Sequence, residues 1–206
     1  MPSLDRVLWI GGGSGAGKTT VATALADEYG LRLYRTDDSM TRHAARSSPH
    51  DHPMLTEFMA MDMDERWVNR SVETMLETFH WFRGEAFEFI VEDLANMGDV
   101  PIIVEGLRLL PPLVAPLLPS TDRAVWLLPT PRFRRDAFAN RSQPAMMADR
   151  TGDPQRAMAN LLRRDDLFTQ RLRRQIDGLG LTGIDVDHRC SQTELTRRIA
   201  AYFGLA

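Results

Sequence analysis

The sequence predicts an α/β protein: a parallel sheet with helices packed on both faces. Three observations carry this. Short apolar segments alternate along the chain with stretches of helical periodicity. The apolar segments are continuous rather than alternating, as expected of strands covered on both sides. A glycine-rich run at residues 11–17 separates the first apolar segment from the first helical one.

Residues 6–10 form the first predicted strand, apolar and partly β-branched. The glycines that follow cannot extend it. From Lys18 onward, Val21, Ala22, Leu25 and Ala26 recur at helical spacing, and Gly30 sits where a helix C-cap glycine belongs. Residues 31–35 are the second strand, ending in Thr36, Asp37 and Asp38. Residues 40–63 read as a helix start followed by a loop. Residues 64–97 read as helical, because Val68, Val72, Met75, Phe79, Phe82, Ala86, Ile90 and Leu94 keep steps of three and four. Gly84 bends or breaks that stretch.

Residues 100–104 are the third strand, ending in Glu105 and Gly106. Four prolines punctuate the next connection. Residues 124–128 are the fourth strand. Thr130 and Pro131 then supply an N-cap and a first-turn proline. Residues 140–156 are polar, carry arginines and are broken by Pro144, Gly152 and Pro154, which reads as a mobile excursion. A helix over about 155–177 follows, then a fifth strand at 183–186. Ser191 to Glu194 form a capping box for a last helix.

Composition narrows the function classes. A length of 206 residues fits one domain, and the net charge of −3 argues against a strongly basic nucleic-acid binder. No apolar run reaches the roughly 20 residues that span a bilayer. Cys190 is the only cysteine, which fits a reducing cytoplasm. Lys18 is the only lysine, so 24 of the 25 basic residues are arginine. A guanine-reading Asn-Lys-x-Asp motif therefore cannot be built.

That lysine stands in the strongest motif. Gly12, Gly13, Ser14, Gly15, Ala16, Gly17, Lys18 and Thr19 match G-x-x-x-x-G-K-[ST], and Thr20 continues the turn into the helix. The spacing suits a phosphate: glycines turn backbone N–H groups inward, the helix N-terminus adds positive potential, lysine reaches the outer phosphates and threonine offers a hydroxyl to Mg²⁺.

With this loop the chain resembles the P-loop small-molecule kinases: adenylate, shikimate, gluconate and uridine kinases and the chloramphenicol phosphotransferases. The resemblance implies a five-stranded parallel sheet in the order 2-3-1-4-5. It also implies a helical acceptor segment at about 38–98 and an arginine-bearing lid at about 140–156. The activity it implies is transfer of the ATP γ-phosphate, with Mg²⁺, to a hydroxyl or phosphate of a small-molecule acceptor; the alternative is a nucleotide-binding regulatory or accessory ATPase that uses ATP as a switch.

Candidate site residues follow from the strand ends, where ligands bind in parallel α/β sheets. Asp37 best matches the acid that accepts the hydroxyl proton or anchors the substrate. Asp38 is the alternative, or a helix cap. Glu105 resembles a Walker B acid that would join Thr19 in organising Mg²⁺, or a strand-end Glu-Gly contact to substrate, or an ordinary strand-end acid. Arg108 is placed to meet an anionic group. Arg42 and Arg46 share a predicted helix face and suit an anionic acceptor.

Among the late arginines Arg132, Arg134, Arg135, Arg141, Arg150, Arg163 and Arg164, the expected phosphoryl-stabilising pair is Arg135 and Arg163. Arg163, Arg164, Asp165 and Asp166, with Arg174, resemble the Arg-x-Asp-Asp helix of adenylate kinases. A solvated helix face with internal ion pairs is the plainer alternative. The methionines at 54, 59, 61 and 63 either line an adaptable pocket or pack as core. His50, Asp51 and His52 lack the spacing of metal ligands.

Overall fold

Each predicted strand is present, and all five join one parallel sheet. The computed structural model describes residues 4–140 and 142–205, the side chains of Ser142 and Gln143 excepted. Strands β1 (Val7–Gly12), β2 (Arg32–Arg35), β3 (Ile102–Glu105), β4 (Ala124–Pro129) and β5 (Thr182–Val186) lie in the order β2-β3-β1-β4-β5. This is the 2-3-1-4-5 order expected. Trp9 lies opposite Val104 on one side and Ala124 on the other, so β1 is central and its end is flanked by those of β3 and β4.

Alternate residues of β1 feed two cores. Leu8 and Ile10 face α1 (Lys18–Tyr29) and the C-terminal helix, packing with Val21, Leu25, Leu195 and Ile199. Val7 and Trp9 face the other layer, with Trp126, Phe168, Leu172 and Ile176. The period-two split is the pleat itself. The sheet's central strands are buried at every position because both layers are filled.

The acceptor segment departs from the sequence reading. The chain after β2 forms α2 (Met40–Arg46) and then α3 (Pro53–Ala60), where a loop was expected. Pro53 starts α3 because a first-turn N–H has no intrahelical partner to lose. Nor is 64–97 one helix. It is a π-helical turn at Glu65–Asn69, then α4 (Val72–Thr78), α5 (His80–Arg83) and α6 (Phe87–Ala95). Ser71 caps α4 by accepting from the Thr74 N–H, and Gly84 ends α5 in the left-handed region at φ 85°. The apolar spacing was real, but each break re-aims the next piece. Of the four methionines, Met59 is largely exposed and Met63 packs on the core.

The second half follows the prediction more closely. A short α7 (Pro111–Val114) follows β3, and α8 (Pro131–Ala139) starts with Thr130 accepting from the Phe133 N–H. The segment 140–156 is not structureless: α9 (Ser142–Ala148) occupies it, and the Gly152 N–H donates to Asp64 Oδ1 at 2.7 Å. Asp153 caps α10 (Pro154–Leu179), and Ser191 caps α11 (Gln192–Tyr202). Arg141 lies outside the described residues. Among those described, no helix is long and apolar enough to cross a membrane.

Candidate functional site

The β1–α1 loop sits at the carboxyl edge of the sheet. The Gly13 N–H donates to the Leu127 carbonyl, tying the loop to β4. Gly17 takes a left-handed conformation (φ 81°) where the chain enters α1, which a residue with a Cβ adopts only with strain. Lys18 is the first helical residue, and its Nζ folds back to the Gly13 carbonyl at 2.9 Å. An ammonium beside the N-terminus of a twelve-residue helix concentrates positive potential there.

Arg134 braces the loop from behind. It is fully buried; its Nε donates to the Ser14 carbonyl at 3.2 Å, and its two Nη groups reach Asp166 and Thr169. The guanidinium thereby joins the loop to α8 and α10. Burial pulls its pKa down, with Asp165 and Asp166 opposing.

Thr19, in the first turn of α1, and Glu105, at the end of β3, meet: the Thr19 hydroxyl donates to Glu105 Oε1 at 2.9 Å. Burial raises the Glu105 pKa despite the attraction of Lys18 and the Thr19 hydrogen bond, and nearby Asp37 adds to the rise. Gly106 follows without a side chain because a Cβ there would overlap the Thr36 hydroxyl. The Thr36 N–H donates to the Glu105 carbonyl at 3.0 Å, which joins the ends of β2 and β3 and sets Asp37 near Glu105.

These groups line one cavity of about 370 Å³. Its floor is Ser14 to Thr19 with Asp37 and Glu105. Its far wall is aromatic: Phe58, Trp67, Phe79 and Trp81. Phe138, Leu161 and, from the 140–156 segment, Pro144 and Met147 complete the enclosure, and Arg164 and Asp165 stand at its edge. Arg164 directs both Nε (2.9 Å) and Nη2 (2.7 Å) at Asp165 Oδ1, and its guanidinium lies 4.5 Å from the Phe79 ring.

Of the expected site residues, Ser14, Gly15, Ala16, Gly17, Lys18, Thr19, Asp37 and Glu105 line this cavity. Gly12 and Gly13 lie beneath the loop as the end of β1 and its anchor, and Thr20 is outside the lining. Asp38 is also outside; it is exposed and lies 4.0 Å from Arg35. It does not cap α2, whose N-cap is Ser39.

Five arginines are corrected. Arg42 and Arg46 point at α6, pairing with Asp93 and Glu92 at 2.5 Å each. Arg108 is buried away from the cavity, donating to His43 Nδ1 at 3.0 Å and to the Ala86 carbonyl at 2.8 Å. That donation makes Nδ1 an acceptor, so His43 is the Nε2–H tautomer and donates to Asp93. Burial, with Arg108 nearby, lowers the His43 pKa. Arg135 and Arg163 are exposed and outside the lining.

In both late helices the neighbouring arginine holds the buried position. Arg134 and Phe138 form the buried face of α8. The buried stripe of α10 runs through Ala157, Leu161, Arg164, Asp165 and Phe168. Extending the apolar phase of each helix by three or four residues selects Arg134 and Arg164, a signal present in the sequence.

No family model matches the chain, and no curated protein matches it. A solved structure of an uncharacterized protein from Eubacterium ventriosum is similar at 17% identity and a TM-score of 0.50, over 98% of this chain and 99% of that one. That likeness extends the fold to a second protein and says nothing of activity.

Proposed function

We propose that this protein is an ATP- and Mg²⁺-dependent phosphotransferase acting on a hydroxyl of a small molecule. The observation that carries the reading is the convergence of three groups in one cavity. They are the helix-N-terminal glycine loop with Lys18, the Thr19–Glu105 pair, and Asp37.

The donor sets fit the partners. Backbone N–H groups of residues 14–19 with Lys18 would hold the β- and γ-phosphates. Thr19 and Glu105 would hold the metal, a hydroxyl and a carboxylate being the hard oxygen donors that Mg²⁺ takes beside phosphate. When bound, the metal neutralises phosphate charge. Asp37 is exposed at the cavity floor and accepts the hydroxyl proton as the oxygen attacks. Arg134 holds the loop amides in place without touching substrate. The aromatic wall and the Pro144–Met147 side exclude water, which otherwise competes as acceptor.

A cavity that extends from the phosphate loop to an aromatic wall favours an enzyme over a nucleotide switch, because a switch needs no second chamber. The test is ADP formation from Mg·ATP across a panel of hydroxyl compounds, with Lys18→Ala and Asp37→Asn. Acceptor-stimulated ADP release lost in both variants is expected. Nucleotide binding with no stimulation by any acceptor overturns the reading.

A further inference from the structure

The half of the cavity facing the phosphate loop is chemically unlike the loop. Phe58, Trp67, Phe79 and Trp81 form it, set edge to face: Phe58 meets Trp67 at 78° and Phe79 at 78°, and Phe79 meets Trp81 at 82°. Arg66 lies over one face of Phe58, and Arg164 over one face each of Trp67 and Phe79, so what the four rings leave to the cavity is an apolar wall against which a flat apolar body packs.

Charge on the lining points the same way. Among the described residues of the lining, two cations, Lys18 and Arg164, stand against three carboxylates, Asp37, Glu105 and Asp165. Lys18 belongs to the phosphate loop. Arg164 is neutralised by a two-nitrogen bond to one oxygen, Asp165 Oδ1. An arginine fork facing the acceptor is the usual receptor for a carboxylate or phosphate. The arginines of the acceptor segment do not supply one. Arg42 and Arg46 pair with acids of α6, Arg83 pairs with Glu77, Arg66 donates to the carbonyls of Phe58 and Met59, and Arg70 donates to the Glu65 carbonyl and the Thr78 hydroxyl. Arg108 is occupied by His43 and the Ala86 carbonyl.

Asp165 itself retains an acceptor. Arg164 uses only Oδ1, and Oδ2 makes no hydrogen bond among the described residues although the residue is 1% exposed and lines the cavity.

We infer that the acceptor is an uncharged molecule with an aromatic body, a reacting hydroxyl and a second hydrogen-bond donor. The ring packs against the wall made by Phe58, Trp67, Phe79 and Trp81. Asp37 takes the hydroxyl, and Asp165 Oδ2 accepts from the second donor. In the transfer, the acceptor oxygen bonds to the γ-phosphorus, the bond from that phosphorus to the bridging oxygen breaks, ADP leaves, and the hydroxyl proton passes to Asp37. This substrate class rests on the phosphotransferase reading, but binding tests it separately from turnover.

Matched probes make the test: 3-(hydroxymethyl)benzamide against 3-(hydroxymethyl)benzoate, and 4-(hydroxymethyl)benzamide against 4-(hydroxymethyl)benzoate. Saturation-transfer NMR with Mg·ADP present measures their binding to the full chain, and a parallel assay measures ADP release from Mg·ATP. In each pair the neutral member is expected to bind at least ten-fold more tightly, with saturation strongest at its ring protons. Trp81→Leu weakens both neutral probes at least five-fold. Asp165→Asn frees Arg164 and reverses the preference, improving the anionic members at least five-fold. Equal or tighter binding of the anionic members to the unsubstituted chain overturns the inference, as does absence of binding by both neutral probes. Neutral probes that bind but never stimulate ADP release leave the substrate-site inference standing and count against the phosphotransferase reading.

Discussion

His80 sits behind the aromatic wall with its imidazole 4.8 Å from the Phe79 ring and 4.6 Å from the Trp81 ring. It is 1% exposed, and neither ring nitrogen has a hydrogen-bond partner among the described residues. Burial, followed by the positive charges of Arg108, Arg164 and Arg66, pushes its pKa down from 6.5 to about 3. The direction of the stability effect follows. Above pH 7.5 the imidazole is neutral in both states and contributes nothing through protonation. As pH falls below 6.5 the unfolded chain takes up a proton that the folded chain refuses. Stability is therefore lost through this window, and the loss levels off near pH 3. Each unit costs about 1.4 kcal/mol, so at pH 4.5 the penalty is roughly 3 kcal/mol. His80→Leu removes the titrating group at similar volume and breaks no hydrogen bond, so it should change stability by under about 1 kcal/mol at pH 7.5. At pH 4.5 the variant should be the more stable by roughly 3 kcal/mol. Urea unfolding followed by tryptophan fluorescence at both pH values measures this, and carboxylates common to both proteins cancel in the difference. A change in the difference of less than about 1 kcal/mol between the two pH values refutes the reasoning.

Three further outcomes are expected. Arg134→Met strands Asp166 and the Ser14 carbonyl, and should cost about 3–5 kcal/mol in urea unfolding as well as nucleotide affinity; a loss under about 1 kcal/mol removes the brace. Phe168 is fully buried and stacks on Phe82 at 3.6 Å between centroids, so Phe168→Ala should cost about 3–5 kcal/mol by the same measurement. Asp37→Asn should lower acceptor-dependent ADP release by about 10²–10⁴-fold, while Asp38→Asn stays within roughly two-fold of the unsubstituted protein; equal losses remove the distinction between the two acids.

The strands were legible because a strand covered on both faces has one requirement, continuous apolarity, and 6–10, 100–104 and 124–128 meet it without ambiguity. The caps at Thr130 and Ser191 were equally plain, since each is a local bond between a side chain and a backbone N–H three residues on. The acceptor segment was not. Its apolar spacing of three and four persists from Val68 to Leu94, yet Ser71, Phe79 and the left-handed Gly84 and Ala86 divide it. A left-handed alanine at φ 62° has no sequence signature, because packing rather than local preference holds it there.

The arginines show a different limit. Arg134 and Arg135 are chemically identical candidates, as are Arg163 and Arg164, and charge alone cannot separate them. A turn of about 100° per residue does. Arg134 shares the inner face of α8 with Phe138, and Arg164 falls in the stripe between Leu161 and Phe168. Their neighbours point to solvent. Burial then decides the chemistry. An arginine on the inner stripe must be met by partners where it lies, and Asp166, Thr169 and the Ser14 carbonyl meet Arg134 while Asp165 meets Arg164. A guanidinium so committed fixes the loop and the cavity wall instead of reaching for an incoming anion. For the acceptor we propose, the same packing removes these arginines as receptors for charge and leaves the aromatic wall to do the choosing.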